Sequence, residues 1–146
     1  MKMESTAKEN NNDDAATAIA KPSVLTVQNS FTQCSHFVRP AECSKNGMIY
    51  AGEILSLLDL LSLTCAFKHC RGPVVTVTID SVNFVSPAYA HDTLAMTARV
   101  NAAFGSSLEI EVLVEVEDLL TRKTRICCTG YLVFVHLNAK SLKPLQ

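Results

Sequence analysis

Strict alternation of apolar and polar residues runs through the second half of the chain. LEIEVLVEVE at 108–117 puts Leu108, Ile110, Val112, Val114 and Val116 on one face, the period-two signature of a half-buried strand. Its other face carries Glu109, Glu111, Glu115 and Glu117, interrupted by Leu113, and predicts a solvated sheet surface. TLAMTARV at 93–100 sets Leu94, Met96, Ala98 and Val100 against Thr93, Thr97 and Arg99. VVTVTID at 74–80 sets Val75, Val77 and Ile79 against Thr76, Thr78 and Asp80. TRICCTGYLVFVHL at 124–137 is apolar on both parities and predicts a central strand. Upstream, Leu25, Val27 and Phe37 share one parity and point to a strand or two before Pro40.

Between these regions the period changes. Residues 52 to about 69 read as a helix, with Glu53 near the start and Lys68 and His69 near the end, as the helix dipole favours. His69 is placed to cap its last carbonyls, and Gly72 and Pro73 stop it. From Ile54 to Phe67 the one ionisable residue is Asp59, and a helix apolar nearly all round predicts burial. One helix among strands is an α+β architecture of one domain.

Composition narrows the function. Thirteen Lys and Arg oppose fourteen Asp and Glu over 146 residues, a formal charge of −1. That balance speaks against nucleic acid or an anionic membrane surface as partner. The longest apolar run falls short of the ~18 residues of a membrane span. Residues 1–21, with three consecutive Asn and no aromatic residue, predict a disordered tail. The domain is expected over 22–140, with a short C-terminal tail at 141–146. The six cysteines (Cys34, Cys43, Cys65, Cys70, Cys127 and Cys128) form no CxxC pair, so reduced thiols, no metal and a cytoplasmic setting are expected. Cys127 and Cys128, adjacent in a strand, should point to opposite faces.

Two features carry chemistry. Ser56, Asp59 and Ser62 fall within an arc of about 120° and form one polar stripe. A carboxylate in an apolar helix is costly unless useful or paired. Asp59 is therefore either a general base or nucleophile facing a crevice, or a structural group paired with Lys68, Arg71 or a nearby loop. Gly52 stands where the helix begins, so unpaired N–H groups and the positive dipole end converge there. The position is either a plain N-terminal turn or a site for a carbonyl oxygen that becomes an oxyanion. The two residues lie two turns apart, about 10 Å along the axis, a gap that a single-subunit site would have to bridge and that a second chain could close.

The succession Gly47-Met48-Ile49-Tyr50-Ala51-Gly52-Glu53-Ile54-Leu55, Leu58-Asp59, His69-Cys70, Val75-Thr76, Asp80-Ser81-Val82-Asn83-Phe84, Pro87, Asp92, Gly105-Ser106-Ser107-Leu108-Glu109 and Phe134-Val135 resembles the hotdog-fold acyl-CoA thioesterases of the cytosolic acyl-CoA hydrolase type. The resemblance runs from about Val38 to Leu137. It implies a single hotdog, a long helix wrapped by an antiparallel sheet. It also implies hydrolysis of fatty acyl-CoA to free fatty acid and coenzyme A, without a cofactor beyond the substrate's own coenzyme A. Asp59 then matches the catalytic carboxylate and Gly52 the glycine whose N–H polarises the thioester carbonyl. Gly105, Ser106 and Ser107 match a segment lining the coenzyme A arm. Self-association to a dimer, and to a hexamer as a trimer of dimers, is also implied. The chain departs from the pattern in having Ala51-Gly52 for Gly-Gly, Met48 where relatives often carry Asn or Asp, and His91-Asp92 for Gly-Asp. Those departures leave a non-catalytic acyl-CoA-binding protein as the alternative, ahead of a 3-hydroxyacyl thioester dehydratase.

Overall fold

The computed structural model describes residues 30–144, so the 1–21 tail, Leu25, Val27 and residues 145–146 lie outside it. Strand β1 (Thr32–Phe37) leads through a 3₁₀ turn (Pro40–Glu42) into helix α1 (Ala51–Cys70). Four strands follow, β2 (Val74–Phe84), β3 (Thr93–Phe104), β4 (Ser107–Glu117) and β5 (Thr124–His136). All pairings are antiparallel in the order β1-β3-β4-β5-β2. The sheet curls about α1 as a single hotdog.

Alternation decides which sheet face meets the helix. Leu94, Met96, Ala98 and Val100 of β3 are buried, as are Leu108, Ile110, Val112, Val114 and Val116 of β4. They pack with Leu132 and Phe134 of β5 against Ile54, Leu58, Leu61 and Cys65 of α1. The β4 glutamates are half-buried on the outer face, where Glu111 pairs with Arg99 and Glu117 with Arg122.

Several expectations are corrected. Helix α1 is not buried all round: Leu60 and Phe67 are exposed, because the sheet wraps one side of the helix only. The stripe Ser56, Asp59, Ser62 does not face one crevice, since Ser56 is exposed, Asp59 half-buried and Ser62 buried. A 120° spread is wide enough to run from solvent to core. Phe37 is half exposed on an edge strand rather than in the core. Val75, Val77 and Ile79 are also exposed, because β2 forms the other sheet edge and no described residues form a layer over its apolar side.

The helix terminus and β5 differ from expectation too. Arg71 ends the helix in a left-handed conformation (φ 51°), its N–H donating to Phe67 O at 2.8 Å. Among the described residues His69 Nδ1 is buried without a partner instead of capping. Cys127 and Cys128 do not split between faces. Val114 pairs with Cys128 and Glu115 with Ile126, so Cys127 is the extra residue of a β-bulge. Both thiols are fully buried, and the adjacent Cys127 thiol first, then burial, push that of Cys128 up.

Candidate active site at the helix and the sheet edge

The start of α1 is held from below. Tyr50 N–H donates to Glu42 O at 3.0 Å. The Glu42 side chain accepts from Arg39 N (2.8 Å), Arg39 Nε (3.0 Å) and Arg39 Nη2 (2.5 Å), and lies 3.0 Å from His36 Nε2. The Arg39 guanidinium is the main reason this buried carboxyl titrates at about 2, well below the ordinary 4.5. The i, i+3 spacing of Arg39 and Glu42 was the available sequence signal.

Above this anchor the helix opens without a side-chain cap. Glu53 and Ile54 N–H reach Tyr50 O, whereas Ala51 and Gly52 N–H find no acceptor among the described residues. A Cβ placed on Gly52 would meet nothing within 4 Å. These donors therefore face open space at the positive end of a 20-residue helix, where an oxygen acquiring negative charge is stabilised.

Asp59 sits on the flank of α1 between buried Leu58 and exposed Leu60. Its Oδ1 accepts a 2.8 Å hydrogen bond from Thr76 Oγ1 of β2. Among the described residues no Lys, Arg or His pairs with Asp59: Lys68 donates to Thr32, and neither it nor Arg71 is in an ion pair. Of the two alternatives, the ion pair with Lys68 or Arg71 is not made among the described residues. Thr76 stands in the sequence only within the Val75-Thr76 of the family pattern, with no role of its own, because alternation shows only that it lies opposite Val75 and Val77.

The Gly105–Ser107 turn joins β3 to β4, with Gly105 at φ 56°, a value that favours glycine. Ser107 pairs with Val135, and Val135 with Val75, so this turn stands two strand spacings, about 10 Å, from the residue beside Thr76. Gly52 is at the other end of the helix's first two turns. One chain thus brings Asp59, Thr76 and the serine turn to the same end of the sheet, but leaves Gly52 apart. Of the basic residues, Arg99, Arg122 and Arg125 already hold Glu111, Glu117 and Asp92.

Beside the helix start lies an apolar cavity of about 340 Å³. Ile49, Ile54, Ala88 and Cys127 are its buried floor, and Met48 and Phe84 stand exposed at its rim. No helix among the described residues is long and apolar enough to cross a membrane.

Comparison with known proteins agrees with this fold. A rat protein named cytosolic acyl coenzyme A thioester hydrolase is 28% identical over 136 residues, 92% of this chain but 35% of its own length. The chain therefore spans about a third of that relative. The acyl-CoA hydrolase of Staphylococcus aureus, solved with butyryl coenzyme A and coenzyme A, superposes with a TM-score of 0.79 at 28% identity, covering 82% of this chain and 73% of that one. An apo-hexameric acyl-CoA thioesterase superposes at 0.78 with 32% identity, covering 82% and 76%. The Thioesterase superfamily pattern matches residues 46–122, more than half of the sequence and the whole stretch from before Gly52 through the serine turn; with the hotdog sheet and helix around it, the chain belongs to the Thioesterase superfamily.

Proposed function

We propose that the chain hydrolyses fatty acyl-CoA to free fatty acid and coenzyme A. The observation that carries this is Asp59, a half-buried carboxylate without a cation partner and oriented by Thr76. Its role is general base on water or nucleophile through an anhydride. In the first case Asp59 takes a proton from water as the oxygen attacks the thioester carbonyl. The Gly52 N–H holds the resulting oxyanion, and collapse expels the coenzyme A thiolate, which is then protonated. The spacing of Asp59 and Thr76 supports the pair: structures of the S. aureus hydrolase were determined with an aspartate, and with a threonine seventeen positions further on, replaced by alanine.

The roughly 10 Å between Gly52 and Asp59 requires a second copy, so that Asp59 of one chain meets the glycine N–H of the other. The exposed edge of β2 is the surface for that pairing, and a trimer of such dimers follows the hexameric relatives. Gly105, Ser106 and Ser107 flank the coenzyme A arm. The reaction needs no further cofactor, and a cytoplasmic setting fits the six free thiols.

Release of free thiol, followed with a disulfide reagent across acyl lengths, tests the reading. Asp59→Asn is expected to lower kcat by about 10²–10⁴ with an unchanged circular dichroism spectrum. A variant keeping more than half the wild-type rate would remove Asp59 from the chemistry. A wild-type chain that binds acyl-CoA without releasing thiol would establish the acyl-CoA-binding alternative.

A further inference from the structure

The cavity beside the helix start has no role in the chemistry above, and its construction says what fits it. The hydroxyl in its lining, that of Ser86, already donates to Ile126 O and accepts from Arg125 Nη1 at 2.9 Å. The buried Cys127 thiol behaves as a small apolar side chain. No unsatisfied side-chain polar group faces inward, so the occupant is apolar. The far wall, residues 85–92, is tied down by Arg125, which also donates to Pro87 O and meets Asp92 Oδ2 at 3.3 Å. Asp92 in turn accepts from Tyr89 N–H at 2.8 Å. The cavity is therefore formed before any ligand arrives.

Ala51, whose N–H is one of the two free donors, belongs to the cavity lining. A carbonyl held at Gly52 is thus adjacent to an apolar recess with an open rim. At about 340 Å³ the recess is roughly twice the ~150 Å³ apolar cavity that accepts one benzene ring. That is space for up to about twelve carbons.

Resting on the acyl-CoA reading, we infer that this cavity receives the acyl chain, that its capacity limits the chain to medium length, and that Met48 and Phe84 at the rim and Ala88 at the floor set the limit. Met48 can be varied without disturbing the backbone here, because its carbonyl, not its side chain, accepts from Ser44.

Calorimetric titration with non-hydrolysable S-alkyl-CoA thioethers, from ethyl to hexadecyl, reads the cavity without turnover. Kd is expected to fall about fourfold per methylene, then level off near dodecyl. Met48→Trp should move the break to shorter chains, and Phe84→Ala to longer ones, while the affinity for free coenzyme A stays constant. Affinity independent of alkyl length, with coenzyme A still bound, overturns the cavity and leaves the acyl-CoA reading standing. A break that neither variant moves overturns the location. Failure of coenzyme A and every thioether to bind overturns the acyl-CoA reading itself. Where Met48→Trp does not fold, Phe84→Ala decides alone.

Discussion

Thr76 Oγ1 holds one oxygen of Asp59 at 2.8 Å, which leaves the other oxygen for the water or thioester carbon of the proposed reaction. A threonine in this position orients the carboxylate from a different element, β2, so the angle survives rotation of the helical side chain. Thr76→Val keeps the shape and removes the donor. The loss of one such bond is worth about 1–1.5 kcal/mol, and kcat is expected to fall roughly tenfold with KM nearly unchanged. Thr76→Ser should recover the rate. Steady-state kinetics with both variants check this; equal kcat for Val and wild type would reduce Thr76 to packing.

At the scale of the element, α1 depends on the 3₁₀ turn beneath it. Glu42 is 6% exposed and carries the carbonyl that receives Tyr50 N–H, so its side-chain contacts with Arg39 and His36 fix where the helix begins. Its folded titration near 2 lies below the unfolded value near 4.5. Stability from this group is thus fully present above about pH 4.5 and lost as pH falls through about 2. Glu42→Gln should lower Tm by roughly 4 °C or more at neutral pH. The deficit against wild type should shrink as acid protonates the native Glu42. Melting curves between neutral pH and pH 2 check this, and a deficit independent of pH would mean that the charge is not what holds the turn.

On the scale of the whole molecule, β2 is the exposed problem. Val75, Val77 and Ile79 are 43%, 59% and 41% exposed, on a sheet edge whose outer N–H and C=O groups have no strand neighbour among the described residues. Bare apolar edges recruit another chain, and an edge meeting its own copy closes as a symmetric dimer. Val77→Lys puts a charge on the bulged residue of that edge and should shift the light-scattering mass toward the ~16 kDa of one chain, with loss of thiol release. Full activity at that mass would remove the shared site; a stable, active dimer would remove only the hexamer.

What could be read directly was whatever depends on period and on local chemistry. Alternation determined the buried residues of β4 one by one, since a strand has only two faces, and those of β3 except Thr93, which is buried at the start of the strand. The apolar span with a dipole-matched start and end determined α1 to within a residue or two. Asp59 and Gly52 stood out because a lone carboxylate in an apolar helix and a glycine at its first turn are locally anomalous. Tertiary structure decided the rest, because each remaining feature depends on a neighbour distant in sequence. The pattern in VVTVTID is the same whether another layer covers Val77 or not, and only the sheet order makes it an edge. Cys127 and Cys128 share a side because Val114 and Glu115 across the ladder impose a bulge. Thr76 reaches Asp59, and Phe84 meets Met48 around a cavity, through the packing of β2 and the helix start, which no spacing along the chain encodes.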